Sequence, residues 1–361
     1  MTGIPPPTLT SQARNELRAR LRSKAREFLE RFYRHDVLVA RAVRGIQTEA
    51  VQVFRRDVGD PLIREIAASL AGFDPRGQAV TPQAYPELAA MIREAEAIVR
   101  RGVEQVQRIT EERMRAVAET EAEFVQRNAE KSADEPVPEA NTAQATRQPF
   151  LGDDTERWFQ KMLVEPTGDG VRQRITQGIQ QGLTVDQIVR SIRGTRTQTG
   201  VLDRSAEAVA TLVRTAATSA SANARTESFK EIGVTHWLFV ATLDSRTSLQ
   251  CAANDGKRFP VGEGPLPPLH PNCRSTAVPD FGGEPEGTRA STNAQGRRSG
   301  QVPASTNFEG WLGARSIREQ DEVLGAARAK AWRAGKLTLK QMLGRDMQPL
   351  TLENLRELDR I

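Results

Sequence analysis

The sequence predicts a mostly α-helical protein: a long N-terminal helical hairpin, a smaller α+β domain carrying a long loop, and a helical C-terminal tail. Three observations predict it. Apolar residues recur at helical spacing over most of the chain, and the run from Trp237 to Leu243 is apolar and β-prone instead. Two polar stretches bearing Pro or Gly divide the whole. The divisions give an N-terminal helical arm over 1–131, a linker over 132–150, and a helical region over 151–280 leading into the α+β domain, whose core is 205–280. A second linker over 281–305 and a tail over 306–361 follow.

Residues 11–57 read as one long helix, with Leu17, Leu21, Phe28, Phe32 and Val39 forming an apolar stripe. Its first half is basic. Arg14, Arg18, Arg20, Arg22, Lys24 and Arg26 could lie along double-stranded DNA or an acidic protein surface, or could form a solvated face paired with Glu16, Glu27 and Glu30. Asp60-Pro61 opens a second helix running to about Ala71, and residues 72–77 read as a turn. From Pro86 to Lys131 the chain is again helical, with apolar positions at Ile98, Val103, Val106, Ile109, Met114 and Val117, suited to antiparallel pairing with the first arm. Such a hairpin could reach away from the globular part. Ser132 to Pro149 is polar and reads as an exposed linker.

A run of short helices is expected from Asp154. Among them, Thr184 to Gly194 has an N-cap threonine, one apolar face and a glycine stop. The loop Arg193-Gly-Thr-Arg-Thr-Gln-Thr-Gly200 is basic and could touch phosphate, yet lacks the Gly-Lys-Ser/Thr ending of a P-loop. Asp203 to Glu231 reads as an Ala-rich helix whose small residues permit close packing. In the tail, Phe308, Trp311 and Leu312 read as anchors, while 337–342 and 350–355 repeat a capped-helix pattern. The tail is expected to pack on the α+β domain.

Both cysteines and one of three histidines fall in a single block. Trp237 to Leu243 reads as a buried strand ending at Asp244; Arg246, Thr247 and Cys251 follow, then Asp255-Gly256-Lys257, a possible edge strand at 258–261, and finally His270-Pro271-Asn272-Cys273-Arg274. A loop this long needs something to order it, since ordering costs about 1–2 kcal/mol per residue. Three readings stay open for Cys251, His270 and Cys273. They could hold zinc with Asp244 or water as fourth ligand, or belong to a metal-free network in which Asp244 accepts from Arg246 or Arg274. The third is a Cys251–Cys273 disulfide, favoured only in an oxidising compartment.

The series Trp…Asp-x-Arg-Thr-x-x-x-Cys…Asp-Gly-Lys…Pro-Pro-x-His-Pro-Asn-Cys-Arg resembles the signature of the phage Mu F-like head morphogenesis family, the minor head proteins of tailed bacteriophages. The resemblance covers about residues 205–280, with Leu212-Val-Arg214-Thr215 and Asn223-Ala-Arg225 similar to the family's lead-in. The chain departs at Ala216, where an acidic residue is expected, and at Ser248 and Ser275, where many members carry further cysteines. The resemblance implies a virion component of the head interior or portal vertex, assembled in the host cytoplasm. Its implied partners are portal, capsid or scaffold proteins and double-stranded DNA, with a role in head assembly or DNA delivery.

Composition agrees. The net charge of +5, from 51 basic and 46 acidic residues, does not by itself diagnose nucleic-acid binding, and no stretch is long and apolar enough to span a membrane. The opening Met1-Thr-Gly-Ile-Pro-Pro-Pro lacks a basic start and an apolar core, so the expectation is a protein used without secretion. Two cysteines make no disulfide framework. No enzyme is expected. A thiol nucleophile has no recognisable turn, zinc-deaminase elements are missing, and a metallonuclease would want more carboxylates than Asp244, Asp255 and Glu263. The competing functions are a non-specific DNA-binding ejection accessory and, behind it, a zinc-dependent hydrolase.

Overall fold

In a computed structural model, residues 9–73, 81–138, 140–143, 145–147, 151–292 and 298–358 are described. The opening heptapeptide and most of the turn expected at 72–77 lie outside them. Thr10 caps the first helix by accepting from Ala13 N, and the Leu17 and Leu21 stripe is buried, so α1 (Ser11–Ser23) begins where the sequence chemistry puts it. The helix expected over 11–57 is interrupted at Lys24 and resumes as α2 (Ala25–Phe54). A π-helical turn at Arg55–Gly59 then leads into α3 (Asp60–Ala71) without leaving helical backbone angles. Pro61 explains the wide turn: it has no amide to give the carbonyl four residues back, and its ring would strike that carbonyl in a regular α-helix.

The following helices are α4 (Pro86–Ala133), α5 (Thr155–Phe159), α6 (Glu165–Gln180), α7 (Val185–Arg193) and α8 (Val201–Glu231). Instead of separate short helices, 155–180 is one helical stretch, because a second π turn at Gln160–Val164 carries α5 into α6 just before Pro166. Helix α7 has the expected features: Thr184 makes a capping box with Gln187, Ile188, Val189 and Ile192 are buried, and Gly194 ends it.

The chain forms two compact units, one of residues 41–116 and 147–217, the other of 1–40, 117–146 and 218–361. In the first, α2 and α4 are antiparallel: Arg113 pairs with Glu49 at 2.7 Å, and further along, Gly102 lies against Asp57 and Val58 of the π turn. A Cβ at position 102 would overlap the Asp57 carbonyl and the Val58 side chain, so glycine admits the bulge. Helix α8 covers the pair, with Gln47 donating to the Ala210 carbonyl at 2.6 Å and accepting from Arg214 at 2.7 Å. Thr167 of α6 meets Ser205 of α8 at 2.7 Å in the interior.

The second unit contains the same antiparallel arrangement, with Phe32 edge-on to Phe124 and Arg31 bonded to Asn128 and Ser132. Its first sheet has the order β2–β1–β3, formed by β1 (His236–Val240), β2 (Arg258–Pro260) and β3 (Thr276–Asp280), all antiparallel. A short helix, α9 (Leu249–Asn254), crosses between β1 and β2. The stretch assigned by composition to a linker at 281–305 instead contains an antiparallel hairpin, β4 (Thr288–Thr292) and β5 (Arg298–Pro303). Likewise 132–150 is no exposed linker where it is described: Val137 lies in the core, and Asn223 donates to the Ala145 carbonyl at 3.1 Å. The tail supplies α10 (Phe308–Gly313), α11 (Ile317–Leu324), α12 (Ala326–Arg333) and α13 (Leu352–Glu357). Phe308, Trp311 and Leu312 form a buried cluster with Leu243, Ala252 and Ala253, so the tail packs on the α+β domain as expected.

One guanidinium ties this unit together. Arg225 of α8, fully buried, makes a fork to Glu121 of α4 at 2.8 and 3.0 Å and an ion pair with Asp36 of α2 at 2.7 Å, and it donates to Thr276 and to the Ala277 carbonyl of β3. Glu121 also accepts from Ser221 at 2.7 Å and meets His35 at 3.1 Å. Burial opposes charge on Glu121, yet Arg225 and His35 outweigh it and hold the carboxyl down at about 2. Burial, with Glu121 beside it, pushes Asp36 up. Glu121→Ala should therefore destabilise the protein by about 3–5 kcal/mol in chemical denaturation, because it leaves Arg225 buried with one partner fewer. Since the folded carboxyl titrates below the unfolded one, the contribution of Glu121 should be complete above the ordinary glutamate range and disappear as pH falls towards about 2.

Candidate functional site

The signature block is built around β1, whose Trp237, Phe239 and Val240 are buried. Trp237 stacks near Phe259 with centroids 5.1 Å apart and donates from its indole to the Glu263 carbonyl at 3.0 Å, which anchors the Gly- and Pro-rich loop. The strand ends at Val240, short of Asp244, because the next residues turn. Asp244 Oδ1 accepts from Arg246 N at 3.0 Å and Thr247 Oγ1 at 3.2 Å, an Asx-type turn, while the Thr247 hydroxyl also donates to the Thr242 carbonyl. Arg274 completes the arrangement with a two-pronged grip on Asp244, one prong at 2.7 Å. Burial opposes ionisation of Asp244, but Arg274 and then Arg246 hold it below the usual carboxylate range. Arg246 itself is 74% exposed, so its backbone rather than its guanidinium makes the stronger bond.

Asp255 has a different partner, which sequence reasoning missed. Its carboxylate accepts from Ala241 N at 2.6 Å and from Arg289 of β4 at 3.1–3.2 Å, with both side chains buried. Arg289 also donates to the carbonyls of Ala241 and, at 3.2 Å, Thr306. Burial pushes the Asp255 carboxyl up even though Arg289 and the Ala241 amide oppose it. Gly256 follows at φ +80°, a left-handed turn, and gives its amide to the Phe239 carbonyl at 2.9 Å. The Asp-Gly-Lys motif is thus a turn riveted to β1 on one side and to the hairpin on the other. Tyr33 lies within electrostatic reach of Arg289, Asp36 and Asp255, and burial pushes its phenol up to about 12.

Cys251, His270 and Cys273 come together as expected, their ligand atoms all within 4.8 Å. Cys251 Sγ is 3.3 Å from His270 Nε2 and 3.7 Å from Cys273 Sγ, hydrogen-bond contacts with no disulfide between the cysteines. A Cys251 donor and, behind it, His270 lower Cys273 to about 4 despite burial; the same contact and burial push Cys251 well up. Bonding to Cys273 raises His270, whose Nδ1 faces the Pro271 carbonyl at 2.9 Å. The two sulfurs and the imidazole therefore form one cluster in which each shifts its neighbours. The same donors suit a soft cation, with Ser248 and Ser275 beside Cys251. Asp244 is not a fourth ligand here, since Arg274 and the Asx turn engage it; that correction leaves water as the expected one.

Of the basic residues proposed for DNA, Arg14 pairs with Glu231 at 3.3 Å, Arg20 with Glu135 at 2.5 Å and Arg26 with Glu30 at 3.4 Å; Arg18 donates to Thr235 at 3.3 Å. Arg22 and Lys24 are exposed and make no ion pair among the described residues.

Residues 169–278, from α6 to β3, match the family described as Phage Mu protein F like protein. No curated protein and no solved structure matches the chain. The matched segment contains Arg225, Asp244, Asp255 and the Cys–His–Cys trio, whereas Glu121 and Arg289 lie outside it. Asp255→Ala should cost about 3–5 kcal/mol, because it strands a buried Arg289. Asp244→Ala should cost less, because Arg274 is 21% exposed and can turn to water. Urea denaturation of the two variants measures the difference. As a lowered carboxyl, Asp244 should contribute fully above the ordinary aspartate range and lose that contribution as pH falls through its folded value.

Proposed function

Because residues 169–278 match the Phage Mu protein F like family, which points to phage head morphogenesis, we propose that the chain is a minor head protein at the portal vertex or in the head interior. The match over 169–278 carries this reading, since it takes in the signature block in its full order. The geometry supports a structural over a catalytic role. Asp244 and Asp255, the carboxylates a hydrolase would need free, are each gripped by an arginine. Portal, capsid or scaffold proteins are the proposed partners, with the arm over 1–131 and the tail over 306–361 as contact regions. No described helix is long and apolar enough to cross a membrane.

Double-stranded DNA is a further proposed partner through the basic first helix. Arg22 and Lys24 support it, being exposed and free of ion pairs among the described residues. If Cys251, His270 and Cys273 hold zinc, elemental analysis of untreated protein should find about one ion per chain, and Cys273→Ser should lose it along with thermal stability. Metal-free protein would leave the trio as a hydrogen-bonded thiol pair.

Mass spectrometry of proheads and finished virions should find the protein in both, in far lower copy than the major capsid protein. Asp255→Ala should reduce its incorporation and the infectivity of the particles. Absence from both particles, with normal infectivity of a deletion phage, would overturn the head-protein reading.

A further inference from the structure

Within the unit of residues 41–116 and 147–217, a cavity of about 400 Å³ lies against the basic loop that follows α7. Phe54, Ile63 and Leu202 give it an apolar floor. Arg55 of the first π turn, Arg193 at the end of α7 and Arg196 in the loop line it as well. Among the described residues, none of the three makes an ion pair. Elsewhere in the same unit Arg56, Arg113, Arg172 and Arg190 each meet a carboxylate within 3 Å. Arg44, Arg115 and Arg204 of the same unit likewise make no ion pair among the described residues, so what sets these three apart is that they line one cavity.

Asp60 and Asp203 line the cavity too, and among the described residues neither forms an ion pair with the three arginines. Asp203 Oδ2 accepts from Gly200 N at 3.0 Å, closing the neck of the loop, and Asp60 sits in the first turn of α3. The loop is rigidly built. Gly194, at φ +95°, lies so close to Asp203 that a Cβ would overlap its carboxylate, and a Cβ on Gly200 would overlap the Gly194 amide. Thr195 Oγ1 accepts from the amides of Thr197 at 3.3 Å and Gln198 at 3.0 Å, and Thr195 N donates to the Gln198 carbonyl at 2.8 Å. None of these bonds uses the Arg196 side chain. Favourable interaction with the C-terminal end of α7 accounts for part of the placement of Arg193.

We propose that this cavity binds a phosphoryl group, held by charge-assisted hydrogen bonds from Arg55, Arg193 and Arg196, with the apolar floor receiving the sugar or base attached to it. Guanidinium forks match phosphate oxygens, and the volume falls in the range of small-ligand sites. The phosphoryl group could belong to a polynucleotide backbone or to a free nucleotide. The inference does not rest on the head-protein reading, nor on the basic helix α1.

The test is calorimetric titration of the full chain with sodium pyrophosphate and ATP at low salt, together with fluorescence anisotropy of a labelled short DNA duplex. Pyrophosphate or ATP should bind saturably, and the triple variant Arg55→Ala, Arg193→Ala, Arg196→Ala should weaken binding at least about tenfold, the equivalent of losing one such charge-assisted contact. Arg196→Glu alone, in an exposed loop position, should also weaken it without moving the melting temperature. If pyrophosphate displaces the duplex, and the triple variant loses duplex affinity while an Arg22→Ala, Lys24→Ala variant does not, the phosphoryl source is polynucleotide. Binding of ATP without displacement of DNA assigns a free nucleotide. No binding of either small anion by the wild-type chain, or equal binding by a folded triple variant, would overturn the proposal.

Discussion

A guanidinium buried without enough acceptors costs several kcal/mol, and the unit that holds the signature block is arranged around avoiding that cost at Arg225. Its acceptors come from α2, α4 and β3, while Arg225 itself comes from α8. Each element must therefore arrive in one register: a shift of α4 by a single residue would turn Glu121 away by about 100°. Apolar packing of Phe32, Phe124 and Phe229 around the same point would tolerate such a slip more easily. The ion network adds specificity of arrangement to a core whose bulk stability comes from burial.

The Asp255–Arg289 pair repeats the device on a smaller scale. It fixes the β4–β5 hairpin to the strand that opens the signature block, and the hairpin in turn receives the tail through the Trp311 indole, which donates to the Thr292 carbonyl at 3.1 Å. What resembles a cluster of chemistry in the sequence is, residue by residue, a set of fasteners. Asp244 shapes a turn, Asp255 holds a hairpin, Trp237 retains a loop, and Thr218 and Thr242 hold the carbonyls of Cys273 and Arg274. The Cys–His–Cys trio is the exception, since it brings soft donor atoms together.

Much of the helical architecture was legible because burial and periodicity coincide. Leu17, Leu21, Phe28 and Phe32 are all buried, and the ends at Ala71, Thr184 and Gly194 follow from capping chemistry. The β4–β5 hairpin was not, since β4 reads Thr-Arg-Ala-Ser-Thr and buries its arginine and serine while exposing its alanine. Polarity there runs opposite to location, and only a distant aspartate makes that affordable. The stretch around Val137 and Ala145 misleads for a related reason: a few buried residues, Val137, Ala140 and Ala145, lie within a segment whose average composition is that of a linker. Within the site, the meeting of Cys251, His270 and Cys273 was foreseeable from shared sequence neighbourhood. The partners Glu121 and Arg289 carry no local mark, because each works across a separation no periodicity spans.

The two π turns have a consequence for how this chain changes over generations. Each holds one residue more than an α-helical path requires, and each stands just before a proline. A helix can absorb a single-codon insertion in this form, keeping its axis while the surplus residue bulges. The faces of α3 and α6 are therefore set by the bulges as much as by their own residues. Removal of one codon at either place would rotate every side chain downstream by about 100° and bring buried positions such as Ile66 or Ile175 to the surface. Gly102, which makes room for the first bulge, is bound to that reading frame of the helix: the two positions can be altered together far more easily than singly.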